Sequence, residues 1–581
     1  MSGFTTRPVI MGTRGVVTTG HYLATSVGLQ ILQQGGNAID AGVAAGFSLA
    51  VLEPHLNGIG GEVPILVYSA DRGNVIAISG QGTAPREMTI EWFRDQGIGV
   101  IPGDGLLPAM VPGAFDGWVT ALREFGTMRL AEVLSPAIEL AEGGFAMYAG
   151  LRDVLLASGE KLRGEWRTSA EAFLPGGKVP ELGEIYRQPQ WASTMRRVLD
   201  AEKEGARLGR EAGLRAARDC FYKGDVAERI ADFARSTEVS DATGRPHRGL
   251  LAYDDLAGFH AKIEEPVTSS YRGYQVYKCG PWCQGPVFLQ QLNLLEGFDL
   301  ADLGHNSADY IHTVVEAAKL AFADREAYYG DPDFDVVPLD VLLAADYADR
   351  RRVLIDAKKA SAEFKPGDIG RNSLPYDPAS ASAAGGDPGG DTTHLDVIDS
   401  AGNMFSATPS GGWLMSSPVV DGLGFPLGTR GQMFFLDPGR PNALQPGKRP
   451  RTTLTPSLAL RDGRPFMAFG TPGGDMQDQW TLQFFLNVVD FGMNLQEAVD
   501  APTFHTLHFP SSFYPRRMYP KRVVLEDRIP EAVREELERR GHEVVVAGPW
   551  KNGRVLAVQF RGDVILGAAS PRMETGYAAG W

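Results

Sequence analysis

Residues 376–403 read Y-D-P-A-S-A-S-A-A-G-G-D-P-G-G-D-T-T-H-L-D-V-I-D-S-A-G-N, and the change in character at Thr392 decides how the whole chain is read. Up to Asp391 almost nothing can be buried: Ala, Ser, Gly, Pro and Asp have the composition of a flexible linker. From Thr392 the residues are β-branched and alternate, as a half-buried strand requires. Ser400-Ala401-Gly402-Asn403 supplies a turn, and Met404-Phe405-Ser406-Ala407-Thr408 a second strand, so a hairpin follows the linker at once. Composition alone makes 376–391 an exposed interdomain loop.

Working outward, a second hairpin is expected at Ser457–Leu460, Asp462-Gly463 and Pro465–Phe469. Further strands follow at E-V-V-V-A (543–547) and V-L-A-V-Q-F (555–560). Toward the N-terminus the pattern turns helical. L-A-T-S-V-G-L-Q-I-L-Q-Q ends at Gly35-Gly36, and Asn37 opens N-A-I-D-A-G-V-A-A-G-F-S-L-A-V-L, whose small residues on every face predict a helix pressed closely against its neighbours. Residues 308–328 carry Ile311, Val314, Val315, Ala318 and Phe322 at helical spacing. The stretch 223–260 reads as short helices and loops, and no internal repeat is evident. Helices flanking antiparallel strands predict one layered α+β body.

With 581 residues, 43% hydrophobic and 22% charged, the chain can bury a large core. A net charge of −15 makes nucleic acid and anionic membrane poor partners. The basic clusters Arg516, Arg517, Lys521, Arg522 and Lys448, Arg449, Arg451 are expected on a solvated surface. Three cysteines, with Cys279 and Cys283 four apart, form neither a disulfide framework nor a metal set; together with Cys220 they are expected to pack as small apolar groups. The N-terminus has no apolar run of signal-peptide length and no stretch of 18 or more apolar residues occurs, so the expected compartment is cytoplasmic.

Common catalytic signatures are missing: no GxSxG elbow, P-loop, HExxH or dinucleotide fingerprint occurs. A threonine opening a strand after a linker suits a different chemistry. Its hydroxyl is a weak nucleophile, and its own α-amine, once freed by cutting Asp391–Thr392, can act as the base. That amine titrates near pH 7.7–8.0, close to working pH. Gly470-Thr471-Pro472-Gly473-Gly474, directly after a strand, lets backbone N–H groups converge on one point, as an oxyanion hole needs. A plain β-forming Thr-Thr pair and a plain turn are the alternatives for these two features.

At this point ordered motifs accumulate: G-G-N-A-I-D-A (35–41), E-P-H-x-x-G-I-G-G (53–61), F-Y-K-G-D-V-A-E-R-I (221–230), D-L-A-G-F (255–259) and L-L-E-G-F-D-L (294–300). After these come A-D-R-E-A-Y-Y-G-D-P-D-F (323–334), T-T-H-L-D-V-I-D-S-A-G-N (392–403), K-R-P-R-T-T-L-T-P (448–456), G-T-P-G-G (470–474) and A-P-T-F-H (501–505). From about residue 8 to the end the chain resembles the γ-glutamyltransferase (γ-glutamyltranspeptidase) family of N-terminal-nucleophile hydrolases. The resemblance implies a four-layer αββα sandwich formed jointly by two cleavage products, a large segment 1–391 and a small segment 392–581 headed by Thr392. It implies an oxyanion hole from the N–H groups of Gly473 and Gly474, and a hydroxyl at Ser410, where the family carries Thr, in contact with the nucleophile.

Departures from the family pattern bear on substrate. An Arg that grips the substrate α-carboxylate is replaced in Gln81-Gly82-Thr83-Ala84-Pro85. An Asp-Asp-Phe segment that holds the α-ammonium reads Gln432-Met433-Phe434-Phe435. The Ser-Ser pair beside it is Thr452-Thr453, the following lid looks shorter, and the Asn expected twenty residues past the nucleophile is Gly412. Losing two charged hydrogen bonds of roughly 1.5–3 kcal/mol each removes glutamate selectivity while leaving acyl-enzyme chemistry possible. The expected activity is therefore a self-processing amidohydrolase of the acylase-like branch. It would act on a small-molecule amide without metal or cofactor, as a heterodimer of its own products. A γ-glutamyl transferase binding glutamate by other residues, and a silent scaffold, are the alternatives.

Overall fold

A computed structural model of the chain describes residues 4–370 and 392–581; the linker at 376–391 lies outside the described residues. Two antiparallel seven-stranded sheets dominate them. The first runs Tyr577–Gly580, Gly15–Thr19, Leu395–Asp399, Met404–Ala407, Val63–Ser69, Asn74–Gly80 and Lys262–Glu264. The second runs Ile10–Gly12, Val564–Ala569, Leu556–Arg561, Arg464–Gly470, Ser457–Arg461, Tyr274–Lys278 and Val267–Tyr271. Both expected hairpins are present, with Leu395 opposite Ala407 and Ser457 opposite Phe469.

Strand alternation explains the layers. Leu395 and Val397 pack outward with Val17 and Phe405 against the helices Ala38–Leu52 and Ala114–Phe125. Ile398 and Met404 point the other way and meet Leu458, Ala468 and Val558 of the second sheet. The second sheet's outer face, including Val276, Met467 and Phe469, is covered by the helices Pro286–Leu295, Ala308–Tyr328 and Gln477–Val489. This is the αββα sandwich. The sequence pattern made the N-terminal part helical and the C-terminal part strand-rich, but each sheet takes strands from both sides of the 391/392 junction.

The helix reading holds in detail. The first helix, Tyr22–Gln33, stops before Gly35 (φ +95°), and the second, Ala38–Leu52, starts from an Asn37 cap boxed by Asp40. A Cβ on Gly42 would sit 2.4 Å from the Phe405 ring, and one on Gly46 2.6 Å from Trp118, so the small residues do mark close packing. The long helix spans Ala308–Tyr328, capped by Ser307. E-V-V-V-A is a strand, but it pairs in parallel with Arg522–Glu526 in a separate three-stranded sheet.

One expectation fails. Lys448, Arg449, Arg451 and Arg516 are buried, not solvated. Arg449 lies 2.7 Å from Asp331 and 2.8 Å from Glu264, Arg451 2.7 Å from Glu326, and Lys448 2.5 Å from Asp335. Their carboxylates come from more than a hundred residues away, so the local charge run could not reveal them. Arg517, Lys521 and Arg522 are half-buried. Cys279 and Cys283 are buried and Cys220 half-buried, all with free thiols. No helix among the described residues is long and apolar enough to cross a membrane.

Candidate active site

Thr392 stands where the chain enters Leu395–Asp399, an inner strand of the first sheet. It is 1% exposed and forms an isolated antiparallel bridge with Ser410, so the two side chains meet: Oγ1 to Oγ is 3.1 Å. The hairpin brings them together, since residues 392 and 410 flank its two strands. Ser410 is fixed twice more. Its N–H and C=O pair with the backbone of Glu62 at 3.0 and 2.9 Å, and its hydroxyl accepts from Arg430 Nη2 at 2.5 Å.

Sequence reasoning misses Arg430 and Glu62. Arg430 Nε donates to Glu62 Oε1, and both side chains are buried. Burial pushes the Glu62 carboxyl up, against the pull of Arg430. The guanidinium lies 5.2 Å from the Trp413 ring centre and 5.4 Å from that of Phe513. Gly411 (φ +69°) turns the chain beside Glu62, where a Cβ would come within 2.3 Å of the carboxylate. The signal available in the sequence was T-R-G-Q-M, a cation two residues before the expected substrate segment.

The glycine turn reaches the same place from the second sheet. Gly470 lies under His394, where a Cβ would sit 2.2 Å from the imidazole. His394 is two residues after Thr392 on the same face; it bonds Asp396 at 3.0 Å and Thr408 Oγ1 at 2.9 Å. Burial raises the Asp396 carboxyl, with His394 opposing. Beyond Gly470, Gly473 (φ +128°) and Gly474 (φ +55°) hold conformations that favour glycine. A Cβ on Gly473 would strike Trp480 at 2.2 Å and one on Gly474 would lie 2.9 Å from Phe513. Phe513 thus links Gly474 to Arg430, and Arg430 links to Ser410 and Thr392. Asp475 anchors the turn, accepting from Arg325 at 2.5 Å and from the Ser512 N–H at 2.8 Å.

The expected substrate-side residues are all buried to some degree. Gln81 is 1% exposed, and its Oε1 has no hydrogen-bond partner among the described residues. Gln432 donates to Gly103 O at 2.9 Å and accepts from Tyr514 N–H at 3.0 Å. Phe434 packs into an apolar cluster with Met88, Phe93 and Ile101. Phe435 lies between the guanidinium of Arg516, 4.1 Å away, and that of Arg440, 4.8 Å away, beside a cavity of about 400 Å³ that both phenylalanines line. Thr452 continues a backbone pairing with Trp282, and the buried Thr453 hydroxyl has no partner among the described residues. These contacts lead to groups other than Thr392 and Ser410, so the geometry assembles the expected catalytic residues more directly than the expected substrate residues.

A larger cavity of about 1410 Å³ is lined by Tyr68, Ala401, Gly402, Tyr274 and Arg461. It lies at the turn end of the hairpin, the end opposite Thr392. Among the described residues one metal-ligand group of three occurs, His312, Glu316 and His542. There the two imidazoles bond each other at 2.8 Å, and Glu316 accepts from Lys319 at 2.6 Å.

Comparison with known proteins places the chain among relatives over its whole length. The solved structure entitled "Structure of LmbA2991HD" superposes with a TM-score of 0.94 at 49% identity, covering all of both chains. Among curated proteins, the acylase ACY 1 proenzyme of Pseudomonas sp. (strain SE83) is 35% identical over 97% of this chain and 93% of its own. The glutathione hydrolase proenzyme of Pseudomonas sp. (strain A14) is 34% identical over 86% of this chain and 82% of its own. The family profile described as Gamma-glutamyltranspeptidase matches residues 24–580. With the sandwich, the paired hydroxyls and the glycine turn in place, the chain belongs to the gamma-glutamyltranspeptidase family.

Proposed function

We propose that the chain is a self-processing amidohydrolase that cuts Asp391–Thr392 and then hydrolyses amides through an acyl-enzyme on Thr392. The observation that carries this reading is the buried Thr392–Ser410 hydroxyl pair at 3.1 Å, at the mouth of a strand that directly follows the linker. In the precursor, the Thr392 oxygen attacks the Asp391 carbonyl, giving an ester that water resolves. This frees the α-amine of Thr392. In turnover that amine takes the hydroxyl proton as Thr392 attacks the substrate carbonyl. The N–H groups of Gly473 and Gly474 stabilise the tetrahedral oxyanion. The proton passes to the leaving amine, and water then deacylates the enzyme. The proenzyme names of the acylase and glutathione hydrolase relatives fit such maturation.

The acyl group is one without the α-amino, α-carboxyl pair of glutamate. Gln81, Gln432, Phe434, Phe435, Thr452 and Thr453 form its side of the site. None of these six is a carboxylate that could meet an ammonium, and the nearby cations Arg430 and Arg440 already pair with Glu62 and Asp437. A glutamyl α-ammonium would lose water there with none of these six residues to pair its charge. The 34% identity to a glutathione hydrolase supports a second reading, a γ-glutamyl hydrolase or transferase that grips glutamate by other residues. Comparing kcat/KM on γ-glutamyl anilide and glutathione with that on simple acyl amides decides between them. The first reading expects the simple amides to win, and faster hydrolysis of glutathione than of every amide tested would establish the second.

A further inference from the structure

We infer that Arg430 is a positioning residue for Thr392: it takes one lone pair of the Ser410 hydroxyl and so turns the Ser410 proton toward the Thr392 oxygen. This inference rests on the proposed role of Thr392.

Guanidinium donates only, so in the 2.5 Å contact with Arg430 Nη2 the Ser410 oxygen is the acceptor. A hydroxyl has one proton and two lone pairs. At 3.1 Å from Thr392 Oγ1 either oxygen could be the donor if the pair were isolated. With one lone pair committed to Arg430, Ser410 keeps its proton and one lone pair for its other contacts, and in the proposed mechanism it is the proton that faces Thr392, because the Thr392 proton goes to the base. The Thr392 hydroxyl then accepts from Ser410 and presents its own proton to the base. As the hydroxyl loses that proton, negative charge grows on Oγ1 and the bond from Ser410 strengthens. This is stabilisation that increases in the transition state, the kind that raises rate.

Arg430 is itself held too firmly to reorient. Glu62 receives its Nε, and the backbone of Glu62 pairs with Ser410 on both sides, so the residue that neutralises Arg430 also fixes the hydroxyl it serves. Trp413 and Phe513 flank the guanidinium. Its remaining nitrogen, Nη1, is buried with no hydrogen-bond partner among the described residues. A rival role follows from that nitrogen: direct binding of an anionic group of the substrate.

Self-cleavage of freshly made precursor gives a rate with no substrate present, and the mature enzyme gives kcat and KM separately. Both are measured for Ser410→Ala, Arg430→Gln and the double variant, alongside Tm. Acting through Ser410, Arg430→Gln should slow self-cleavage and kcat roughly three- to tenfold, leave KM unchanged, and add nothing in the Ser410→Ala background. If the single variant does not fold, Arg430→Gln with Glu62→Gln removes both charges of the pair and allows the same comparison. Equal slowing by Arg430→Gln with and without Ser410→Ala overturns the inference, as does a rise in KM confined to anionic acyl amides. If Ser410→Ala alone changes no rate, the Thr392–Ser410 reading itself fails.

Discussion

At the residue scale, the account rests on which groups touch Thr392. Ser410→Ala removes the hydroxyl that lies 3.1 Å from its oxygen, a bond worth roughly 0.5–1.5 kcal/mol. Turnover should therefore fall about three- to tenfold with the fold intact, as followed by steady-state kinetics and Tm; unchanged kinetics would show that the hydroxyl does not serve the nucleophile. Substrate choice also turns on single residues. Gln81 is buried, and its Oε1 has no partner among the described residues. Gln81→Arg should raise the rate on γ-glutamyl amides relative to simple ones, since the cation can meet an α-carboxylate there. The companion change Phe434→Asp, expected from sequence to restore an ammonium partner, would place a carboxylate among Met88, Phe93 and Ile101 and should lower Tm before it shifts specificity. Thr392, Ser410, Gly473 and Gly474 are proposed from the sequence because they sit in or at a fixed distance from ordered motifs. Glu62 and Arg430 could not: they come from separate segments, and only the fold brings both to Ser410.

At the element scale, the hairpin 395–407 carries the candidate site, and its outer face is fitted to the helix Ala38–Leu52. Gly42 abuts the Phe405 ring, and the space left is less than a methyl needs. Intrinsic propensity favours Ala over Gly in a helix by up to about 1 kcal/mol, whereas overpacking a core typically costs about 1–3 kcal/mol. Gly42→Ala should therefore destabilise the protein by about 1–2 kcal/mol in chemical denaturation, and a gain in stability would show that the interface yields easily. This closeness was visible in the sequence as an Ala- and Gly-rich helix, and the hairpins as alternation and turn residues. The parallel pairing of Glu543–Ala547 was not visible, because alternation identifies a strand and not its partner.

At the scale of the whole molecule, each sheet interleaves strands from before and after residue 391. Neither segment has a complete sheet alone, so after cleavage the two pieces should stay together until the fold melts. Several histidines are buried and held neutral: burial lowers His21, His55, His505 and His542 to about 3, and His508 to about 4. Unfolding restores their ordinary value near 6.5, so below that pH the unfolded chain binds protons the folded chain does not. Each such histidine then subtracts about 1.4 kcal/mol of stability per pH unit down to its folded value. Buried carboxyls such as Glu62 and Asp396 are shifted upward and offset part of this. The net expectation is a Tm that falls as pH drops from about 6.5 toward about 4.5; a flat profile would contradict it. The buried arginines show again where sequence reading stops, since their carboxylate partners are supplied by distant segments.

The most direct test of self-processing at Thr392 is the state of the purified chain, read by intact mass and N-terminal sequencing. Wild type should give two pieces, 1–391 and 392–581, the smaller beginning T-T-H-L-D, while Thr392→Ala should remain a single chain of 581 residues. A wild-type chain that stays whole on prolonged incubation, a smaller piece with any other N-terminus, or cleavage of the Thr392→Ala variant would contradict the account.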